Sequence, residues 1–304
     1  MLDVAVAFIT FNRPEPTAKS FARIREARPS RLFLVSDAAR PDRRGEADLV
    51  NQTRAIAQQV DWPCDVQKIY AAENMGCGRR ISSAITEAFQ SVDRLIVLED
   101  DCVANASFFP YCAELLDRYQ DDDRVMAVTG DNFQQGVSRT KSSYYFSKYM
   151  HCWGWATWRR AWQHFQLDIP TWPSFRDSGG LAECCDQREI EYWTGIFDRC
   201  HAGNSQSWAY PWLLCCWMNK GLTAIPDVNL VTNIGFGEDA THTRKSDSSA
   251  AIKSYAIDMI VHPNEVVRNV LADQFTDQTM FSGTAQVSWL KRWRRKLGLT
   301  SKAA

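Results

Sequence analysis

Across its first 130 or so residues the chain alternates short aliphatic runs with longer amphipathic stretches, and this alternation restricts the fold more than any other feature. A run with no polar side suits a strand buried on both faces, and the stretches between suit helices that cover those faces. Strands are expected at Val4–Thr10, Arg31–Ser36, Val66–Tyr70, Arg94–Leu98 and Val125–Thr129, each followed by polar or glycine-containing residues. Between them, Cys77–Ser91 sets Ile81, Ile85, Ala88 and Phe89 on one helical stripe, and Ser107–Tyr119 is patterned in the same way. The expected fold class is therefore α/β, a Rossmann-like and mostly parallel sheet flanked by helices.

The remainder of the chain has a different character. Tyr144–Trp217 is crowded with aromatic residues and reads as a second lobe, while residues 266–304 read as a C-terminal helical tail. No linker long enough to separate independent domains interrupts the chain, so residues 1–130 and 131–265 are expected to be two halves of one domain. Lys plus Arg (35) nearly balance Asp plus Glu (36), which leaves no global field to attract nucleic acid and excludes it as a partner. None of the ten cysteines makes a C-x-x-C pair, and the apolar start Asp3–Ile9 is too short to span a bilayer. Both features fit reduced thiols in a cytoplasmic protein. In the tail, Trp289, Leu290, Trp293 and Leu297 share a helical stripe flanked by Lys and Arg, a pattern suited either to weak contact with an anionic inner membrane face or to packing on the body.

Ligands of open α/β sheets bind beyond the carboxyl ends of the strands. Three such ends carry chemistry here: Thr10-Phe11-Asn12-Arg13, Ser36-Asp37 and Glu99-Asp100-Asp101. Three consecutive acids at the end of the aliphatic run Leu95–Leu98 repel one another unless a cation sits among them, and hard divalent ions are held by one or two carboxylates plus substrate phosphates. Asp101 is the expected metal ligand, with Asp100 directed to a ribose or a metal-bound water. Glu73–Arg80 opens the next helix with two glycines and two arginines, so backbone N–H groups and a guanidinium face an anion there; Asn74 and Arg79 are the candidates.

The strand followed by Glu99-Asp100-Asp101 and then Ser107-Phe108-Phe109 resembles the metal motif of GT-A glycosyltransferases. The resemblance is strongest to the N-acetylglucosaminyltransferase I type and to family 2-like nucleotide-diphospho-sugar transferases. It spans about residues 2–245. It implies a GT-A fold whose aromatic-rich lobe lies on the acceptor side, a nucleotide-sugar donor (a UDP-sugar first of all), and a glycan or lipid-linked acceptor. It further implies Mn2+, or Mg2+, bridging Asp101 and the diphosphate. Val4–Pro14 resembles the first strand and base-binding turn of these enzymes, which implies nucleotide contacts from Thr10, Asn12, Arg13 and Asp37. Cys152–Trp162 resembles their Gly-Trp stretch, placing Trp153, Gly154 and Trp155 along the sugar and acceptor channel. Thr241-His242-Thr243 resembles their late return to the metal and makes His242 a second ligand.

At the catalytic base the pattern departs from the family. Where the N-acetylglucosaminyltransferase I type carries Trp-Asp-Asp, this chain has Trp208-Ala209-Tyr210, and alanine cannot accept a proton. Either another acid serves, with Glu191, Asp186 and Glu238 as the candidates, or the enzyme retains configuration. Two other readings stand beside the transferase. One is a sugar nucleotidyltransferase, a class that usually carries a glycine-rich loop after the first strand. The other is a degenerate GT-A domain that binds a glycan or partner without turnover.

Overall fold

The computed structural model of the chain describes residues 1–235 and 252–282. Glu238, His242 and the basic stretch Trp289–Leu297 lie outside these residues. The expected alternation is present: β1 (Ala5–Thr10), α1 (Pro14–Ala27), β2 (Arg31–Ser36), α2 (Glu46–Ala57), β3 (Asp65–Tyr70), α3 (Cys77–Ala88) and β4 (Arg94–Glu99). There follow a short β5 (Cys102–Ala104), α4 (Phe108–Arg118), β6 (Val125–Thr129), β7 (Tyr144–Ser147) and β8 (Trp155–Trp158). The helices α5 (Arg159–Trp162), α6 (Trp172–Asp177), α7 (Gln187–His201) and α8 (Ala209–Met218) come next, then β9 (Leu222–Pro226), β10 (Val231–Asn233) and α9 (Val270–Met280).

Eight strands form one sheet in the order β3-β2-β1-β4-β8-β6-β9-β7. The first four are mutually parallel, β8 lies antiparallel between β4 and β6, and β7 closes the far edge antiparallel to β9. Side chains alternate strictly between two cores. Ala5, Ala7 and Ile9 of β1, Phe33 and Val35 of β2, and Leu95 and Val97 of β4 face α3, α7 and α8. Val6, Phe8, Leu32, Leu34, Ile96 and Leu98 face α1 and α4 on the other side. Burial on both faces is the reason these strands read as unbroken aliphatic runs.

The aromatic stretch does not form a lobe of its own throughout. β7 and β8 enter the sheet, with Trp155 in one core and Trp158 in the other, while α5 to α8 cover one face. Trp155 packs on Trp208 at 5.0 Å, Trp162 at 6.0 Å and Trp212 at 6.1 Å between ring centres. The described part of the C-terminal segment is docked, since α9 turns Ala272, Asp273, Thr276 and Asp277 inward. Asp273 accepts hydrogen bonds from Ser147 and Arg268, and Asp277 from Arg188 and Tyr149. All ten cysteines are free thiols. No helix among the described residues is long and apolar enough to cross a membrane.

Trp155 is fully buried and its indole N–H has no acceptor. Trp155→Ala is therefore expected to lower unfolding free energy by about 3–5 kcal/mol, and Trp155→Phe, which keeps a ring and removes the orphaned donor, by far less. Urea denaturation checks both; near-equal losses for the two variants would contradict this packing account.

Candidate functional site

The parallel register assembles the site. Thr10 of β1 is paired with Ser36 of β2, and Ile9 with Glu99 of β4, so the three chemically distinctive strand ends lie side by side at one edge of the sheet. Past this edge the chain turns sharply, because α1 begins at Pro14, a residue whose fixed φ suits a first helical position. Arg13 immediately before it is held by its carbonyl, which accepts from the Thr17 backbone at 3.1 Å and the Thr17 hydroxyl at 2.7 Å.

The guanidinium of Arg13 bridges two acids. One nitrogen pairs with the Asp100 carboxylate and the other lies 3.0 Å from Asp101 Oδ2. Asp100 is the better buried of the two and also accepts the Phe11 backbone N–H at 3.2 Å, while its carbonyl accepts the Ser20 hydroxyl at 3.0 Å. Burial pushes the Glu99 and Asp100 carboxyls upward, and their neighbouring acids add to the effect; the Arg13 charge opposes it. Burial also works against the charge on Arg13, but Asp100 and Asp101 outweigh it and hold the guanidinium protonated. Cys77 nearby feels the same field: burial, with Glu99 and Asp101, pushes its thiol up to about 12.

A second wall comes from the two-stranded sheet of β5 and β10, in which Asn233 pairs with Cys102 directly after the acids. Ile234 N–H donates to the Asp101 carbonyl at 2.8 Å. Gly235 then passes so close that a Cβ there would lie 2.0 Å from Asp101 Oδ2 and 2.9 Å from Arg13 Nη1, so only glycine leaves the carboxylate and guanidinium their room. A side chain at position 235 would therefore displace the Asp101 carboxylate or the Arg13 guanidinium.

Do these residues fit a divalent ion? Among the described residues no three His, Cys, Asp or Glu side chains are arranged to hold a metal by themselves. Asp101 nevertheless presents both oxygens at this edge, with the Cys102 thiol 3.6 Å from Oδ1 and the Arg13 guanidinium already against Oδ2. That donor set suits a hard ion completed by waters and by ligand phosphates, and it does not suit a closed structural metal site.

The remaining sequence candidates fall in several places. Asp37 accepts backbone N–H groups from Ala38, Met75 and Gly76, each at 2.9 Å, so it fastens the loop before α3 to the end of β2. Asn74 donates to the Ala38 carbonyl at 2.7 Å in the same junction. Asn12 binds Glu46 at 2.9 Å, and the Thr10 hydroxyl donates to Val35 at 3.0 Å. Arg79 is exposed and lines a groove along α3 with Met75, Ser83, Glu87 and Phe165. Arg80, which the sequence reading passed over, is the arginine turned inward. It is 6 % exposed, its Nε has no partner, and Asp37 is among the charges that act on it.

The acceptor-side candidates also separate. Trp153 is half-buried against Phe133, at 4.9 Å between ring centres. Trp155 belongs to the core, which removes it as a sugar-facing surface. Gly154 has φ +70°, and a Cβ there would meet Val231 at 2.8 Å, so it serves a tight turn between α4 and β10. Asp186 caps α7 in a reciprocal pair with Glu189, at 2.9 and 2.8 Å, which occupies its carboxylate structurally. Glu191 stands exposed on α7.

No protein-family model and no curated protein matches the chain. Among solved structures, a mannosyltransferase from Pyrobaculum calidifontis in complex with GDP-Man and Mn2+ is similar over 54 % of this chain, at 14 % identity and a TM-score of 0.38. The chain spans about half of that enzyme's length, 47 %. HddC from Yersinia pseudotuberculosis is similar over 57 % of this chain and 86 % of its own, at 12 % identity and a TM-score of 0.35. A UDP-glucose pyrophosphorylase complexed with UDP-glucose is similar over 53 % of this chain and 78 % of its own, at 10 % identity and a TM-score of 0.32. Likenesses this slight leave function to be derived from the residues themselves.

One further acid on the same sheet edge escaped the sequence reading. Thr129 at the end of β6 and Val97 of β4 both pair with Trp155, which places Asp131, two residues beyond β6, on the edge that carries Asp101. Asp131 is fully buried, accepts from the Thr129 hydroxyl and, at 3.4 Å, from Trp153 N–H, and has Cys152 as a titrating neighbour. Burial pushes its carboxyl from the usual 3.8 up to about 7. A carboxyl raised in the folded state contributes stability that is complete below its unfolded value and is lost as pH rises through its folded value. Asp131→Asn is expected to gain on the wild type between pH 3.8 and about 7, by up to about 1.4 kcal/mol per pH unit, and to gain no more above that range. Denaturation curves across this range check it, and a difference independent of pH would refute it.

Proposed function

We propose that the chain is a metal-dependent glycosyltransferase that takes a sugar from a nucleotide diphosphate donor, UDP-sugars first of all, and places it on a glycan or lipid-linked acceptor. The reading rests on one observation: Glu99, Asp100 and Asp101 end β4 beside the turn that follows β1, with Arg13 between two of them. In this reading Asp101 holds a divalent ion, Mn2+ or Mg2+, which when bound neutralises charge gathering on the departing diphosphate. Asp100 braces the Phe11–Arg13 turn that grips the nucleotide, and Asp37 with Asn74 shapes the loop that lies against it. Arg80 offers an unpartnered guanidinium beside that loop, a suitable counter-charge for a phosphate. Glu191 remains the proposed acceptor-side base, since Asp186 is engaged as a helix cap.

The transferase is favoured over a nucleotidyltransferase by the span between β1 and α1. Only Phe11, Asn12 and Arg13 separate Thr10 from Pro14, too few for a glycine-rich loop that wraps a triphosphate. In calorimetry Mn2+ is expected to strengthen UDP binding by about tenfold or more, a change of at least about 1.4 kcal/mol. Asp101→Ala should abolish the gain. Identical UDP affinity with and without metal in the wild type would count against the assignment.

A further inference from the structure

Arg13 occupies the position that a metal at Asp101 would need. Its Nη1 stands 3.0 Å from Asp101 Oδ2, the oxygen that borders Gly235, and its other arm is committed to Asp100. A divalent ion and a guanidinium on the same oxygen oppose one another, because two positive charges at such a separation repel strongly in a site that is mostly shielded from bulk water. Among the described residues no three metal-binding side chains converge, so Asp101 leaves most of an ion's coordination to other ligands.

Resting on the reading above, we propose that Arg13 is a movable counter-ion, which holds the acids in the empty protein and passes to the donor diphosphate when the metal enters. The geometry allows the exchange. The Arg13 backbone is fixed by two hydrogen bonds from Thr17, so the turn stays in place, while the side chain is 20 % exposed. A phosphate suits the planar fork of an arginine as well as a carboxylate does. The diphosphate therefore does two things at once: it draws the guanidinium off Asp101 and supplies the ligands that the ion lacks. Metal and nucleotide then bind as a pair, and neither binds tightly alone. Reciprocity requires that each strengthen the other by the same factor.

Titrating Mn2+ by its paramagnetic resonance signal, with and without UDP, tests this on the wild-type chain, Arg13→Met and Arg13→Lys. In the wild type UDP is expected to tighten Mn2+ about 10–150-fold, the same factor by which Mn2+ tightens UDP. Arg13→Met should bind Mn2+ alone more tightly than the wild type and lose most of that enhancement. Arg13→Lys, which keeps the charge but lacks the planar two-nitrogen fork, should fall between, and it carries the test if the methionine variant fails to fold. Metal binding by both variants no tighter than the wild type, or an enhancement by UDP that both retain in full, would overturn the exchange. Absence of any UDP binding by the wild type with Mn2+ would instead defeat the nucleotide-donor reading, and the exchange that rests on it. The metal-only titrations, which need no nucleotide, tell the two failures apart.

Discussion

The in-register parallel pairing of β2, β1 and β4 is the constraint on which everything at the site depends. Each of these strands is buried on both faces, with alternate side chains packed into two different cores. A slip of one residue would carry every side chain to the opposite face, so the register is fixed by packing on both sides at once. Once it is fixed, Thr10 lies level with Ser36 and Glu99 with Ile9, and the residues that follow share one edge of the sheet. The chemistry at the edge is a consequence of the hydrophobic pattern several residues upstream.

That edge carries more acids than basic partners among the described residues. Three adjacent acids meet one guanidinium, and burial raises the two carboxyls best shielded from solvent. Such an arrangement is costly to fold unless something positive completes it, which is the usual mark of a binding site and not of a stabilising network. Gly235 shows the same economy of space from the other side, since any side chain there would displace the carboxylate or its arginine. The acids, the arginine and the glycine come from three separate elements brought together by β4, the turn after β1, and β10.

Much of this was legible in the sequence. Strands expected at Arg31–Ser36 and Val125–Thr129 have those bounds, and the other three shift by one residue at one end, because a strand buried on both faces leaves an uninterrupted aliphatic signature. β8 was hidden for the opposite reason: Trp155-Ala156-Thr157-Trp158 has no such run, and its place between β4 and β6 is set by tertiary packing of its aromatic rings. The choice of Arg79 over Arg80 is a matter of helical phase. Successive residues on a helix point about 100° apart, and Arg80 stands four residues before the buried Ala84, so the apolar stripe of α3 carried the missing signal. Asp131 was readable too, as an acid just past the end of an apolar strand. Asp186 and Gly154 looked functional because helix caps and tight turns use the same residue types as sites do.

The central claim is that the acids ending β4 receive a divalent ion together with a nucleotide diphosphate. Anomalous diffraction from crystals grown with Mn2+ and UDP measures this directly. The account predicts an anomalous peak in contact with the Asp101 carboxylate and with the diphosphate, and a guanidinium of Arg13 turned from Asp101 to a phosphate oxygen. A nucleotide bound elsewhere, or a bound nucleotide with Arg13 still closed on both acids and no ion beside them, would contradict it.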